Sequence, residues 1–214
     1  MDKLIDRVHQ YLLSVGMSEK QIENFDSGSV YIAQEIAIYA LQNNVMPDGK
    51  PYVVFVLELL NDYQKLIGIK DDDPFCIDVD LLVGEFNFPY NGAQEVIVLH
   101  NVIDHSNVSL EEIRQTYEDF GLGAYFKLYI EKPLTLLTYK LCQNKENFLW
   151  DIVEDQTACL VKWLHYKSCL TPPPQTEEEK QEVKKLETLV SLMELKWDFA
   201  NKANAYLEKF NSQK

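Results

Sequence analysis

The sequence gathers many of its carboxylates into one segment near the middle of the chain. The densest part holds six acidic residues within fifteen positions: Asp71, Asp72, Asp73, Asp78, Asp80 and Glu85. Carboxylate oxygens are the ligands that hard cations such as Ca²⁺ prefer, but the Ca²⁺-loop pattern fails here because its central glycine is missing and Pro74 interrupts the ligand ladder. The pattern favours a solvated acidic surface over a metal site, and these six residues are the predicted contacts to a partner protein.

The charge around this cluster indicates the kind of partner it would take. The chain has 34 acidic and 20 basic residues, a net charge of −14. Twelve of the acidic residues and one basic residue, Arg114, lie between positions 71 and 119, so this segment alone carries −11. An anionic surface of this density steers association with a basic protein surface.

Arginine is scarce, with two residues against eighteen lysines. Because phosphate and base-edge recognition favour the guanidinium fork, an anionic chain of this composition is not expected to bind nucleic acid directly. The longest apolar run, 53–57, is far shorter than the ~20 residues of a membrane span. Charged residues near the N-terminus interrupt any signal-peptide core, so we predict a cytoplasmic location without membrane contact.

The closely spaced histidines are His100 and His105, with Asp104 between them. Zinc-binding helices place histidines at i and i+4, whereas these stand at i and i+5 and therefore point in different directions. The order of histidine before aspartate also reverses the pattern of HD phosphohydrolases. We expect a polar helix end here rather than a metal site.

Two further groups suggest chemistry but lack the partners it needs. Asp151, Glu154 and Asp155 share one predicted helix, yet the chain has no Glu-x-x-His for a di-metal carboxylate bundle, so we expect a solvated face. Cys169 stands one turn after His165, and buried packing is the expected arrangement. Without a G-x-S-x-G or a glycine-rich phosphate loop, we predict no catalytic residue, metal ligand or cofactor.

The framework that would position these residues is predicted to be mainly α-helical. Apolar residues recur at three- and four-residue spacing, and only eight glycines occur in 214 residues, which disfavours a hairpin-rich β fold. Three capping boxes mark helix starts, at Ser18/Gln21, Ser109/Glu112 and Thr176/Glu179. The predicted helices cover about 3–15, 18–25, 30–43, 52–67, 91–103, 109–120, 125–130, 134–142, 146–170 and 176–210.

The region 76–99 allows two interpretations. Apolar and other residues alternate from Cys76 to Val83, which is the pattern of a strand, but a helix capped by Asp78 would also bring its apolar side chains together. Residues 96–99 have a similar ambiguity. Helix is favoured, with a few short strands around 76–99 as the alternative.

The C-terminal third predicts a long antiparallel helical hairpin. Its two arms, 146–170 and 176–210, carry apolar residues in a three-four rhythm, and the prolines between them cannot continue a helix. We therefore predict a single helical domain over 1–214, a multi-helix globular bundle that ends in a hairpin at 146–210 joined by the Pro-rich connector 171–175.

These observations favour a non-enzymatic, intracellular protein-interaction module of the inhibitor, immunity or adaptor type, which presents its acidic surface to a basic partner. Two other functions stay open from the sequence. A small helical enzyme would need a metal-carboxylate site, and its support is carboxylate density alone. An anionic nucleic-acid mimic would need carboxylates aligned along one face of the protein.

Overall fold

The chain folds as a helical bundle around a short, fully buried central helix. The computed structural model describes residues 3–19, 28–66, 91–169 and 176–197. Within these ranges there is no strand, and one isolated antiparallel bridge joins Val45 to Pro51. The α-helices described are, in chain order, α1 (Leu4–Ser14), α2 (Ser29–Leu41), α3 (Tyr52–Leu66), α4 (Ala93–Leu99), α5 (Val102–His105), α6 (Leu110–Asp119), α7 (Gly123–Tyr125), α8 (Glu131–Leu137), α9 (Phe148–Glu154), α10 (Gln156–Cys169) and α11 (Glu177–Trp197).

The central helix is α4, in which every residue is buried. It packs against α2, α3 and α10 and is therefore covered on all sides, so that Gln94 and Glu95 are buried together with its apolar residues. Residues 96–99, for which the sequence left both helix and strand open, lie in this helix. Residues 76–90, where strands were the alternative, lie outside the described part of the chain.

Gly92 allows a neighbouring segment to pack closely against the start of α4. Its φ of +79° lies in the left-handed region, and a Cβ at this position would stand 2.8 Å from the carbonyl oxygen of Tyr129. Tyr129 belongs to a π-helical turn, Phe126–Ile130, between α7 and α8. A side chain at position 92 would push this turn away, so glycine is required both for the backbone angle and for the contact.

The prediction of two helices on either side of Pro133 was wrong. Pro133 lies inside α8, in a helical segment that continues from the π-helical turn. Proline cannot donate an N–H to the carbonyl of Tyr129 four residues earlier, and the wider π-helical turn directly before α8 accommodates this loss without ending the helix. The predicted helix 134–142 therefore ends at Leu137, and a 3-10 turn follows at Tyr139–Leu141.

Two other predicted helices are interrupted. The predicted helix 91–103 divides into α4 and α5 at His100 and Asn101. The predicted helix 146–170 breaks at Asp155, whose backbone is extended (φ −103°, ψ 122°). The Asp155 carboxylate accepts a hydrogen bond from the backbone N–H of Ala158 at 3.0 Å, which is the N-cap contact that starts α10.

One of the three predicted capping boxes is complete in the described residues. Ser109 accepts from the backbone N–H of Glu112 at 3.2 Å, and the Glu112 carboxylate accepts from the N–H of Ser109 at 2.9 Å. Thr176 directly precedes α11, as predicted. The helix predicted at 18–25 falls largely outside the described residues, as does the partner of Ser18 at position 21.

The buried apolar side chains form one continuous cluster that draws on helices from α1 to α11. A mainly α-helical globular bundle was predicted and is confirmed. At its C-terminal end α10 and α11 pack together, and the Trp163 indole N–H donates to the Glu194 carboxylate at 3.0 Å. The connector 171–175 and the residues after 197 lie outside the described part, so the single-domain boundary and the full hairpin at 146–210 stay predictions. No described helix is long and apolar enough to cross a membrane.

Candidate functional site

The six predicted partner-binding residues, Asp71, Asp72, Asp73, Asp78, Asp80 and Glu85, all lie outside the described residues. The structure therefore neither brings them together nor separates them. What it does describe is the rest of the surface, where exposed apolar side chains and a polar cleft stand out, and the interior, where two histidines meet.

An apolar groove of about 440 Å³ lies between α9 and α11. Its apolar lining consists of Leu149, Trp150 and Val153 from α9 and of Leu189, Leu192 and Met193 from α11. Met193 is buried, whereas Trp150 is 69% exposed and Leu192 49% exposed. The groove therefore combines a packed apolar floor with apolar walls that are open to solvent.

Charged side chains complete the lining of this groove. Glu154 of α9 and Lys196 of α11 both line it and form an ion pair with each other, which ties the two helices together. The Trp197 indole N–H adds a second tie by donating to the carbonyl of Val153 at 2.8 Å. Together, the sequences of α9 and α11 contain eight acidic and four basic residues, whereas the two charged residues that line the groove, Glu154 and Lys196, balance each other.

All three tryptophans of the chain, Trp150, Trp163 and Trp197, lie in its C-terminal half, and the sequence alone does not show which of them are exposed. Trp163 is 2% exposed and Trp150 is 69% exposed, although both lie within the single predicted helix 146–170. The break at Asp155 places the two tryptophans on separate helices, α9 and α10. No signal in the sequence located that break, so none separated the buried tryptophan from the exposed one.

A second feature is a pair of histidines in the interior. His100 at the end of α4 is 3% exposed, and its Nε2 lies 3.0 Å from Nδ1 of His165 on α10. His100 Nδ1 lies 2.6 Å from the carbonyl oxygen of Ile97, so Nδ1 carries the proton and Nε2 is the acceptor. That acceptor faces two donors, His165 Nδ1–H and the side-chain amide of Asn101 at 2.9 Å.

Both imidazoles of this pair are held neutral. Burial lowers the pKa of His100 to about 3, and burial together with the neighbouring His100 lowers the pKa of His165 well below its ordinary value. Lys162, on the same helix as His165, has a pKa lowered by burial as well. The two imidazoles are thus neutral at neutral pH, and protonation of either one would place a charge in the interior.

The expected polar helix end is present for Asp104 and His105, but His100 departs from it. The Asp104 carboxylate accepts from the backbone N–H groups of Tyr139 and Lys140, both at 2.9 Å. The His105 ring lies against the Tyr52 ring, with centroids 4.3 Å apart. His100 instead points into the core, because the helix breaks immediately after it and α10 supplies a hydrogen-bonding partner.

Cys169 is half-buried, and its thiol is not activated. Burial raises the pKa of Cys169 above its ordinary value, which leaves the thiol protonated at neutral pH. A nucleophilic cysteine needs the opposite shift of its pKa. The hydrogen-bonding contact of His165 is with His100 rather than with this thiol.

The acidic group on the predicted helix 146–170 does not form one solvated face. Asp151 is exposed, and Glu154 pairs with Lys196. Asp155 caps α10 and pairs with Lys132 at 3.0 Å, so its side chain is largely buried rather than solvated as predicted. The three carboxylates thus serve different contacts and do not converge.

Within the described ranges, no group of three or more His, Cys, Asp or Glu side chains is arranged to hold a metal ion. The chain matches no protein-family model, no curated protein and no solved structure. A proposal for the function therefore rests on the geometry of the described residues.

Proposed function

We propose that this chain is a non-enzymatic intracellular protein-interaction module, of the inhibitor, immunity or adaptor type, and that it binds a basic amphipathic helix of a partner protein in the groove between α9 and α11. The observation that carries the proposal is the exposure of Trp150 and Leu192 on the walls of an apolar groove whose floor is already packed. Apolar walls of this kind are unfavourable in water and favourable in an interface.

The shape of the groove suits a helix as its occupant. Two helices line it from opposite sides, and the apolar face of an amphipathic helix can lie between them with anchors spaced at i, i+3, i+4 and i+7. Tryptophan dominates binding energy in interfaces because its large ring loses much water contact when it is covered. Trp150 would therefore be the main anchor of the complex, with Leu192 and Leu189 beside it.

The charge of the surroundings supports a basic partner. The two helices that form the groove carry eight acidic residues against four basic ones, and the chain as a whole has a net charge of −14. The segment 71–119, which contains Asp71 to Asp73, carries −11 of this charge in the sequence. In this proposal the acidic segment accelerates the encounter with the basic partner, and the groove holds the complex once it has formed.

The test uses a synthetic helix of about eighteen residues with leucines on one face and lysines on the other. Saturable binding should shift the emission of Trp150 to shorter wavelength, because the ring moves from water into an apolar contact. Trp150→Phe should remove the shift while the peptide still binds. Leu192→Gln should weaken binding about tenfold, the loss expected for one truncated anchor.

Two controls make the result decisive. Leu13→Gln changes a leucine of similar exposure on α1, outside the groove, and should leave binding unchanged. A peptide with glutamates in place of the lysines should bind much more weakly if charge selects the partner. The proposal fails if the lysine peptide does not bind saturably, or if both peptides bind equally well.

A further inference from the structure

One acidic and one basic side chain line the groove between α9 and α11, and they pair with each other. Among the described lining residues, Glu154 supplies the carboxylate and Lys196 supplies the ammonium group. Because the two charges cancel, the closed pair offers a basic helix little local attraction. A basic side chain of the partner gains a counter-charge in this groove when it takes the place of Lys196.

Lys196 has the contacts that a bound cation would have. Its side chain is 33% exposed, and its ammonium group lies 5.5 Å from the centroid of the Trp197 ring while it pairs with Glu154. A carboxylate and an aromatic ring are both groups that attract cations in proteins. The Glu154 side chain is 73% exposed, so a cation from a partner can reach its carboxylate directly from solvent.

The pair can open because it lies at the surface, where an ion pair contributes little to stability. A polar cleft of about 560 Å³, where α1, α2, α5 and the 3-10 turn after α8 meet, shows the opposite arrangement. Asp104 and Lys140 offset each other there, but backbone groups hold both side chains. Glu154 and Lys196 instead hold each other, so a competing cation can separate them.

Two neighbouring carboxylates are engaged elsewhere. Glu194 of α11 accepts the Trp163 indole N–H at 3.0 Å, and Asp155 caps α10 and pairs with Lys132. Neither of them lines the groove. Glu154 is therefore the carboxylate that a helix lying in the groove would meet.

The position of Glu154 also sets the register of the partner. Glu154 follows Trp150 by four residues on α9, so both side chains lie on the same face of this helix, about one turn apart. One helical turn advances about 5.4 Å. A partner helix that lies along the groove with an apolar anchor on Trp150 therefore brings the residue three or four positions away beside Glu154.

We infer, on the basis of the function proposed above, that Glu154 selects a basic side chain of the partner and that Lys196 masks this carboxylate until the partner binds. The selected side chain stands three or four positions from the anchor on Trp150 and replaces Lys196. The Trp197 indole N–H, which donates to the carbonyl of Val153 at 2.8 Å, keeps α9 and α11 together while the ion pair opens.

The test is calorimetric titration, at about 0.15 M salt, with the lysine peptide described above and with the same peptide carrying glutamine at every lysine position. Lys196→Gln unmasks Glu154 and should tighten binding of the lysine peptide about threefold to fivefold, the effect of one exposed ion pair. Binding of the glutamine peptide should not change. A purely structural role of the pair predicts the reverse, weaker binding of both peptides. In the double variant Glu154→Gln/Lys196→Gln the gain should disappear.

Lys180→Gln is the matched control, because it removes the same charge from an exposed lysine of the same helix. Lys180 stands about 24 Å from Lys196 along α11, well beyond the Debye length of about 8 Å, so binding of both peptides should stay unchanged. Circular dichroism verifies the fold of each variant, and Lys196→Ala replaces Lys196→Gln if the latter does not fold.

Three outcomes would overturn the inference: no tightening of the lysine peptide by the unmasked variant, equal tightening of both peptides, or a gain that persists in the double variant. Each of them is compatible with saturable binding of the lysine peptide to the unmodified chain. A lack of saturable binding by the unmodified chain and by every variant would instead contradict the proposed function, and with it the inference. The two failures are thus distinguishable in one set of titrations.

Discussion

His100 and His165 face each other across the interface of α4 and α10, with His100 Nε2 3.0 Å from His165 Nδ1. The two residues are 65 positions apart in the sequence, and each stands on a helix that packs in the core. Because the pair is a direct hydrogen bond between neutral rings, protonation of His100 would remove its acceptor and place a charge in a buried site. This relationship couples the packing of the bundle to pH.

The first prediction concerns stability in mild acid. The pKa of His100 is lowered to about 3 by burial, whereas a histidine in the unfolded chain titrates near its ordinary value, so the unfolded state binds more protons between these limits. The contribution of neutral His100 to stability is therefore fully present above the pKa of the unfolded state, and it is lost as the pH falls below that pKa. Between about pH 7.5 and about pH 4.5, this histidine alone should lower the free energy of unfolding by about 3 kcal/mol.

Urea denaturation across this pH range measures the loss, and His100→Gln is the variant that isolates it. The variant should lose markedly less stability on acidification than the unmodified chain, even if it is less stable at neutral pH. Glu95, whose pKa is raised by burial, titrates with the opposite sign, and comparison of the two proteins cancels its contribution. An equal pH dependence in both proteins would contradict the role of His100.

The second prediction concerns the glycine before α4. Gly92→Ala adds a methyl group 2.8 Å from the Tyr129 carbonyl oxygen at a φ of +79°, so it suffers both a backbone penalty and a clash. Gly49 has a similar φ of +87° but nothing within 4 Å of its added Cβ. We expect Gly49→Ala to cost about 1 kcal/mol and Gly92→Ala about 3 kcal/mol in chemical denaturation. Equal losses would mean that the π-helical turn moves aside freely.

The third prediction concerns the break between α9 and α10. Asp155→Ala removes the cap on the N–H of Ala158 and should cost about 1 kcal/mol of stability. Its ion pair with Lys132 adds little, because the lysine is 74% exposed. Asp151→Ala, on the exposed side of α9, is the matched control and should change the stability by less than about 0.5 kcal/mol. Similar effects of the two changes would show that Asp155 is not an effective cap.

The fourth prediction concerns the acidic segment. Replacing Asp71, Asp72 and Asp73 together by Asn should slow association with the lysine peptide described above and should flatten the dependence of its rate on salt. Dissociation should change little, because the groove between α9 and α11 holds the complex in our proposal. Stopped-flow kinetics at two ionic strengths, with a thermal melt of each protein, provide the measurement. Unchanged association rates would mean that this segment does not steer the partner.

Several parts of the fold follow from local sequence alone. The helix starts at Ser109 and after Thr176 were predictable because a capping residue and the first turn are in contact within the same few residues. The mainly helical class followed from apolar spacing, since each helix has to present an apolar stripe to a core. The excess of negative charge between 71 and 119 is likewise a property of the sequence itself.

The interruptions and the sites depended on contacts between distant residues. The break at Asp155 is the exception, because its cap to the N–H of Ala158 is local, but the apolar spacing runs through it and does not show where the helix is interrupted. His100 and His165 became a pair only because α4 and α10 pack together. Local propensity cannot specify such pairs, because their free energy comes from burial and partners that exist only in the folded chain.

Tertiary packing also explains why Trp150 is exposed while Trp163 is buried, and why the Nε atom of Arg7 is buried, unlike that of an ordinary surface arginine. A sequence determines that these side chains are large, or charged, and on which helix they stand. Whether they are covered depends on how the helices pack, which left Trp150 exposed beside α11 and the Nε atom of Arg7 buried without a partner in the described chain. The local sequence thus determines the helical class and the charge of the protein. The groove and the cleft arise from tertiary packing, because a concave surface requires elements that are distant along the chain.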